Sequence, residues 1–313
     1  LNLQKIAALK WAVSAYIALA GLYVIGNLAA PLGTWTNRIF LSPSVNQSLF
    51  WCWFGALGFS QAVFNRRLQP ALRIVVGVLV LGAVYVTWMM KRDWISGWLP
   101  LLLAVGLCLV VARPKMAVPG GLALLALILL NSQQAAGLVM GGDNAYSLMT
   151  RVEAWRTLAG ILAANPLFGL GPSNYYWYTQ LFPILGYNVT FNSHNNYVDL
   201  IAQVGVVGLG FYLWLLWQTG RDVLKAVPLA GDGFERAFLI GCFGGLGATA
   251  AAGLLGDWAL PFVYNIGMAG FRVSALAWLF MGAAVAVSLR LRGEAREAEN
   301  QAVLSAAQAE TDR

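Results

Sequence analysis

The sequence predicts an all-α protein, a polytopic bundle of transmembrane helices that carries one large external loop. Three observations carry that expectation. Hydrophobic residues make up 59% of the 313 positions and charged residues only 11%, whereas soluble domains carry about 25% charged residues. Several apolar runs reach the roughly 20 residues that a helix needs to cross a hydrocarbon core about 30 Å thick. One polar and aromatic stretch, 141–195, separates two sets of such runs. Backbone groups in lipid must be satisfied within the spanning segment, which here selects helices over a barrel.

Eight spans are expected, at 9–30, 47–64, 71–90, 95–112, 117–140, 196–217, 234–256 and 263–289. The chain thus divides into five helices over 1–140, the loop 141–195, three helices over 196–289 and a charged tail over 290–313, either a solvated helix or disordered. Polar breaks at Asn65-Arg66-Arg67, Lys91-Arg92-Asp93, Arg113-Pro114-Lys115, Gly220-Arg221-Asp222 and Asp257 separate the spans. Cys52, Cys108 and Cys242 lie inside apolar runs without paired spacing and read as small core residues. The Gly241-Cys242-Phe243-Gly244-Gly245 stretch permits close helix approach and reads as packing.

Lys and Arg are enriched in cytoplasmic loops. Placing the tail inside puts fourteen of the 20 basic residues, among them Arg66, Arg67, Arg221, Arg236, Arg290 and Arg292, on the cytoplasmic side, and the long loop outside. Arg38, Lys91, Arg92, Arg151, Arg156 and Arg272 remain outside or in the outer half of a span. A cation on the disfavoured side has resisted the bias that places the others, so these six are the informative ones. The net charge of +7 is mostly a topology signal and requires no nucleic acid. The chain begins at Leu1, and its first span has neither the short apolar core nor the cleavage site of a signal peptide.

Within the loop, Leu148, Val152, Trp155, Ala159 and Leu162 recur at three- or four-residue spacing, with Arg151 at the edge of the stripe and Glu153 off it. That pattern predicts a surface helix over 147–164, ended by Asn165-Pro166 and able to rest on the bilayer interface. Phe168-Gly169-Leu170-Gly171-Pro172 reads as a turn. Tyr175, Tyr176 and Trp177 open an aromatic stretch whose rings suit a membrane interface or the apolar faces of sugars. His194, the only histidine, stands where the loop runs into a span. Near its ordinary pKa of about 6.5 an imidazole can accept a proton at neutral pH. No second histidine and no cysteine lies nearby to make a metal site.

Together, Arg151-Val152-Glu153-Ala154-Trp155, Asn165-Pro166-Leu167-Phe168-Gly169-Leu170-Gly171, His194-Asn195-Asn196-Tyr197 and Gln203-Val204-Gly205-Val206-Val207-Gly208 resemble the O-antigen ligase and polymerase superfamily of bacterial envelope glycan transferases. The resemblance covers roughly 145–215. It implies a polyprenyl (undecaprenyl) diphosphate-linked glycan as donor, arginines that bind the diphosphate, and a loop histidine that activates the acceptor. By position, Arg151 matches the arginine that opens the family loop and His194 its histidine. A second family arginine usually follows a serine at the outer end of an earlier span; Arg92 is its counterpart, with Lys91 in place of the serine. Gln203 stands where an acidic residue is common. The resemblance further implies about twelve spans, hence about four preceding those found here.

The chemistry can be stated without the family. Transfer from a lipid diphosphate develops negative charge on the leaving group, and fixed arginines stabilise it. His194 is the candidate base for the acceptor hydroxyl. Glu153 and Asp93 are rival bases that read better as local ion partners. Asp257 and Arg272 flank the last external turn, where an intramembrane-edge charge calls for a partner; a mutual pair is expected, with a direct site role as the alternative. Arg156 is expected at lipid headgroups. The predicted function is a membrane glycosyltransferase without cofactor or metal, at the external face of the bacterial inner membrane, acting on a glycan, lipid or protein acceptor. The rival class is a non-enzymatic glycan or lipid transporter or an inactive scaffold relative. Convergence of Arg92, Arg151 and His194 on one cavity discriminates between them.

Overall fold

The computed structural model describes residues 6–29, 48–89, 95–130, 132–133, 137, 143–261 and 263–311. Among these the fold is all-α. The helices are α1 (Ile6–Leu28), α2 (Ser48–Phe64), α3 (Pro70–Met89), α4 (Ile95–Ala112), α5 (Pro114–Leu130), α6 (Asp143–Leu162), α7 (Tyr175–Tyr178), α8 (Asn196–Ala226), α9 (Phe234–Leu255) and α10 (Val263–Thr311). Six helices are long and apolar enough to cross a membrane: α1, α3, α4, α8, α9 and α10. The apolar α2 is shorter, at 17 residues. The helix over α5 covers the first part of the fifth expected span, 117–140. α8 continues past the expected 217 to Ala226, and α10 runs unbroken to Thr311, so the charged tail takes the helical of its two expected forms.

A short α2 survives because it is central. It is apolar on all sides, the pattern of a helix buried all round, and Trp51, Trp53, Phe54 and Leu57 are fully buried. Two of its polar groups bond to neighbouring helices: Trp53 Nε1 donates to Thr249 Oγ1 at 3.0 Å, and Phe50 O accepts from Tyr16 at 2.6 Å. The glycines of α9 permit this packing. A β-carbon at Gly244 would stand 2.6 Å from Ala104 O of α4, and one at Gly241 2.4 Å from Ser60 Oγ of α2. Cys52, Cys108 and Cys242 are free and buried in this core.

The two ends of the bundle differ in chemistry. At one, Arg290 meets Glu235 at 2.7 Å, Arg292 meets Asp222 at 2.7 Å, and Asp232 meets Arg66 at 3.5 Å and Arg236 at 3.3 Å. The other end holds the start of α8 and the turn after α9. The 22 residues of α9 put roughly 33 Å between them.

Candidate functional site

The loop begins with α6, whose inward face differs from the expected stripe. Ala154, Leu158 and Leu162 are buried, whereas Ala159 is exposed. Leu158 and Leu162 pack with Tyr175 and Ala202 of α8 in a small cluster of their own. That rotation turns Arg151 and Trp155 toward the protein. Glu153 and Arg156 point away and pair at 3.7 Å.

Next, the chain from Asn165 to Gly171 docks into a break in α8. Gly205 has φ 69° and ψ −175°, which interrupts the helical ladder. The loop supplies the missing partners: Val206 N donates to Pro166 O at 3.0 Å and Val207 N to Leu167 O at 3.3 Å, while Ala202 O and Gln203 O accept from Leu170 N and Gly171 N at 2.9 and 3.0 Å. Irregular backbone in a spanning helix is tolerated where such partners exist. Gln203 joins the same joint through Oε1, which accepts from Ser173 N at 2.9 Å.

A buried polar knot then fixes the approach to His194. Ser193 Oγ donates to Asp199 Oδ1 at 2.7 Å, Tyr175 donates to the same oxygen, and Trp155 Nε1 donates to Ser193 O at 2.8 Å. Asn195 caps α8 by accepting from Tyr197 N and Val198 N. Asn196 is buried and ties α8 to the turn after α9, with Nδ2 donating to Leu260 O at 2.7 Å and Oδ1 accepting from Ala259 N at 2.9 Å. Held from both sides, His194 itself adopts a left-handed φ of 48°.

His194 Nδ1 faces Asp257 Oδ1 at 3.9 Å, and Asp257 Oδ2 accepts from Asn192 at 3.1 Å. Asp257 was expected to pair with Arg272. Instead its carboxylate is only 2% exposed and turned to His194, and the Arg272 side chain is exposed. Arg151 Nη1 donates to Leu255 O at 3.0 Å; its buried Nε has no hydrogen-bond partner among the described residues. A cavity of about 280 Å³ opens here, and Arg151, Thr150, Asn192, His194 and Tyr187 line it.

Burial pushes the His194 imidazole below its ordinary pKa; the Asp257 carboxylate opposes that and the Arg151 charge reinforces it. Burial likewise lowers Arg151, with Asp257 opposing. Burial and the Arg151 charge thus both favour the uncharged form of the His194 imidazole.

Tyr175 corrects one expectation. Its ring is fully buried and cannot stack on a sugar, and its phenol is raised by burial and then by Asp199. Trp177 is 60% exposed and Tyr176 half-buried, the two rings meeting edge to face with centroids 5.6 Å apart. Tyr175→Phe keeps the ring but removes a donor to a buried carboxylate, and is expected to cost about 1–3 kcal/mol. A fall in melting temperature of the detergent-solubilised protein checks it; an unchanged melt contradicts the structural role.

Arg92, Lys91 and Asp93 lie outside the described residues, so the expected convergence is seen for Arg151 and His194 alone. Asp199, Ser193 and Asn192 were not singled out as site residues from sequence, and Trp155 only as part of the loop-helix stripe and motif. For the first three the only signal was proximity: Ser193 precedes the histidine and Asp199 falls in the first turn of the helix it introduces.

Fold and site together define a polytopic α-helical membrane protein with a small cavity at one end of its bundle, where an arginine and a histidine join an otherwise largely apolar and aromatic wall and a buried carboxylate lies beside the histidine. Residues 70–213 match a family model described as O-antigen ligase. The match spans 144 of the 313 residues and contains Arg151, the docked loop, His194 and Gly205, so over that stretch the chain is similar to the family. No curated protein and no solved structure matches the chain.

Proposed function

We propose that the protein is a glycosyltransferase that moves a polyprenyl diphosphate-linked glycan onto an acceptor hydroxyl at the external face of the inner membrane. The observation that carries this reading is the shared cavity: Arg151 and His194 line one recess, with Asp257 beside both. At about 280 Å³ it is slightly smaller than most ligand pockets. It suits the reacting diphosphate and first sugar rather than a whole glycan.

The step is a displacement at the anomeric carbon. The acceptor hydroxyl gives its proton to the neutral imidazole as its oxygen bonds to that carbon. The bond from the carbon to the diphosphate oxygen breaks, and the electron pair leaves with the diphosphate. Arg151 has donors left after its bond to Leu255, and a guanidinium can give two of them to a phosphate. Asp257 lies 3.9 Å from Nδ1 and is proposed to orient the imidazole, as a third group orients a catalytic base. Arg92 is proposed as the second phosphate contact, with Lys91 beside it, and Trp177 and Tyr176 as the sugar-facing rings. Arg272 keeps no role in this scheme.

The test uses full-length protein in lipid vesicles with a fluorescent polyprenyl diphosphate-linked glycan and separate saccharide, lipid-linked glycan and peptide acceptors. Transfer to one of them is expected, and Arg151→Gln should lower it by about 100-fold or more, as removal of a charge-stabilising donor does. Hydrolysis or flipping of the donor without transfer would overturn the assignment.

A further inference from the structure

A second cavity lies at the end of the bundle that carries Arg66, Arg236 and Arg290, about a membrane's thickness from His194. It measures about 640 Å³ and lies between α1 and α3, with Gln61 and Asn65 of the α2 end and the 231–235 turn flanking its wide end. Its shape follows from where the two helices touch. A β-carbon at Gly21 would stand 2.8 Å from Leu79, and one at Gly82 2.6 Å from Val24, so α1 and α3 are in close contact at that level. Toward Lys10 and Leu72 they splay, leaving a wedge lined by Val13, Ile17, Val75 and Val76.

The wide mouth is cationic. Lys10 and Arg67 both line it and both are exposed. Among the described residues no carboxylate lies within 4.0 Å of either; Glu235, the one acid on the wall, is engaged by Arg290 at 2.7 Å. Lys10 Nζ sits 5.8 Å from the centre of the Phe234 ring, which places its charge at the rim. An apolar wedge within the span, closed toward its middle and topped by two uncompensated cations, is complementary to one kind of molecule: an amphiphile with an acyl chain and an anionic phosphate. Basic pockets between spanning helices take acidic lipid headgroups in this way.

We propose that this wedge is a binding site for an anionic phospholipid of the surrounding leaflet, its phosphate between Lys10 and Arg67 and one acyl chain between α1 and α3. The site is separate from the glycan reaction and does not depend on it.

Native mass spectrometry of the full-length protein, with phosphatidylglycerol or phosphatidylcholine added at equal concentration, tests it. Wild type is expected to retain phosphatidylglycerol at least about tenfold more strongly than phosphatidylcholine. Lys10→Gln with Arg67→Gln should abolish that preference, Lys10→Arg with Arg67→Lys should keep it, and Ala18→Phe, which fills the wedge, should reduce retention with the charges intact. Equal retention of the two lipids by wild type, or an unchanged preference in the Gln variant, would overturn the proposal. So would a disulfide cross-link from Ser14→Cys to another polypeptide segment, since that segment would then occupy the wedge.

Discussion

Replacing His194 is expected to lower glycan transfer by about 100- to 10,000-fold, the usual contribution of a general base. Asparagine is the cleaner replacement, because its side chain tolerates the left-handed φ of 48° that this position adopts; alanine removes the imidazole but adds backbone strain. Both variants should keep the wild-type melting temperature within a few degrees and keep donor binding, since Arg151 is untouched. Full transfer by either would remove His194 from the reaction. The pH profile gives an independent reading. The active form is the neutral imidazole, so transfer falls as pH drops through the His194 pKa, and burial places that acid limb below about 6.5. Asp257→Asn removes the carboxylate that favours protonation, so the limb should move to still lower pH. Arg151→Gln removes a charge that disfavours protonation, and its residual activity should show a limb at higher pH. A residue that only supported the fold would lower the plateau without moving the limb.

What the sequence made legible and what it did not follow a physical line. Apolar runs declare helices because spanning a hydrocarbon core demands length and composition, and both are local. His194 and Arg151 were accessible for a related reason: one is unique and the other lies against the charge bias of the chain. Partnerships were not accessible. Asp257 flanks the same turn as Arg272, and proximity in sequence suggested a pair; the fold brings in Asn192 and His194 from 65 and 63 residues away instead. Tyr175 looked like its neighbours Tyr176 and Trp177, because an aromatic run does not declare which ring points inward. The burial of α6 was misjudged at three positions, Ala159 being exposed and Ala154 and Leu158 buried, since a helix with Ala, Leu and Trp on several faces leaves its orientation to its neighbours. The loop and helix motifs were readable as separate signals, but not as two halves of one backbone joint.

That joint carries the second large effect. Gly205→Ala is expected to destabilise the protein by about 3 kcal/mol or more, or to prevent its accumulation. Two costs combine. At φ 69° and ψ −175° the backbone occupies a region almost restricted to glycine, which costs an alanine on the order of 1–3 kcal/mol. A β-carbon there would also lie 2.0 Å from Leu167 O and 2.4 Å from Phe168 N, backbone atoms that cannot rotate aside. Relief requires the 165–171 loop to lift from α8, which breaks the bonds from Val206, Val207, Leu170 and Gly171 and leaves polar backbone unpaired within a span. Gly169→Ala attacks the joint from the other side, where a β-carbon would meet Gln203 and Gly205 backbone at 2.6 and 2.7 Å. Gly210→Ala is the control, one helical turn further along α8 with nothing within 4 Å of the added carbon, and should be neutral or slightly stabilising. Thermal melting and size-exclusion profiles in detergent compare the three. If Gly205→Ala melts with Gly210→Ala, the loop is not seated in the helix as described. If Gly205→Ala and Gly169→Ala collapse while Gly210→Ala does not, the docked loop is what holds the following aromatic segment, and through Tyr175 and Ser193 the histidine, in register with Arg151.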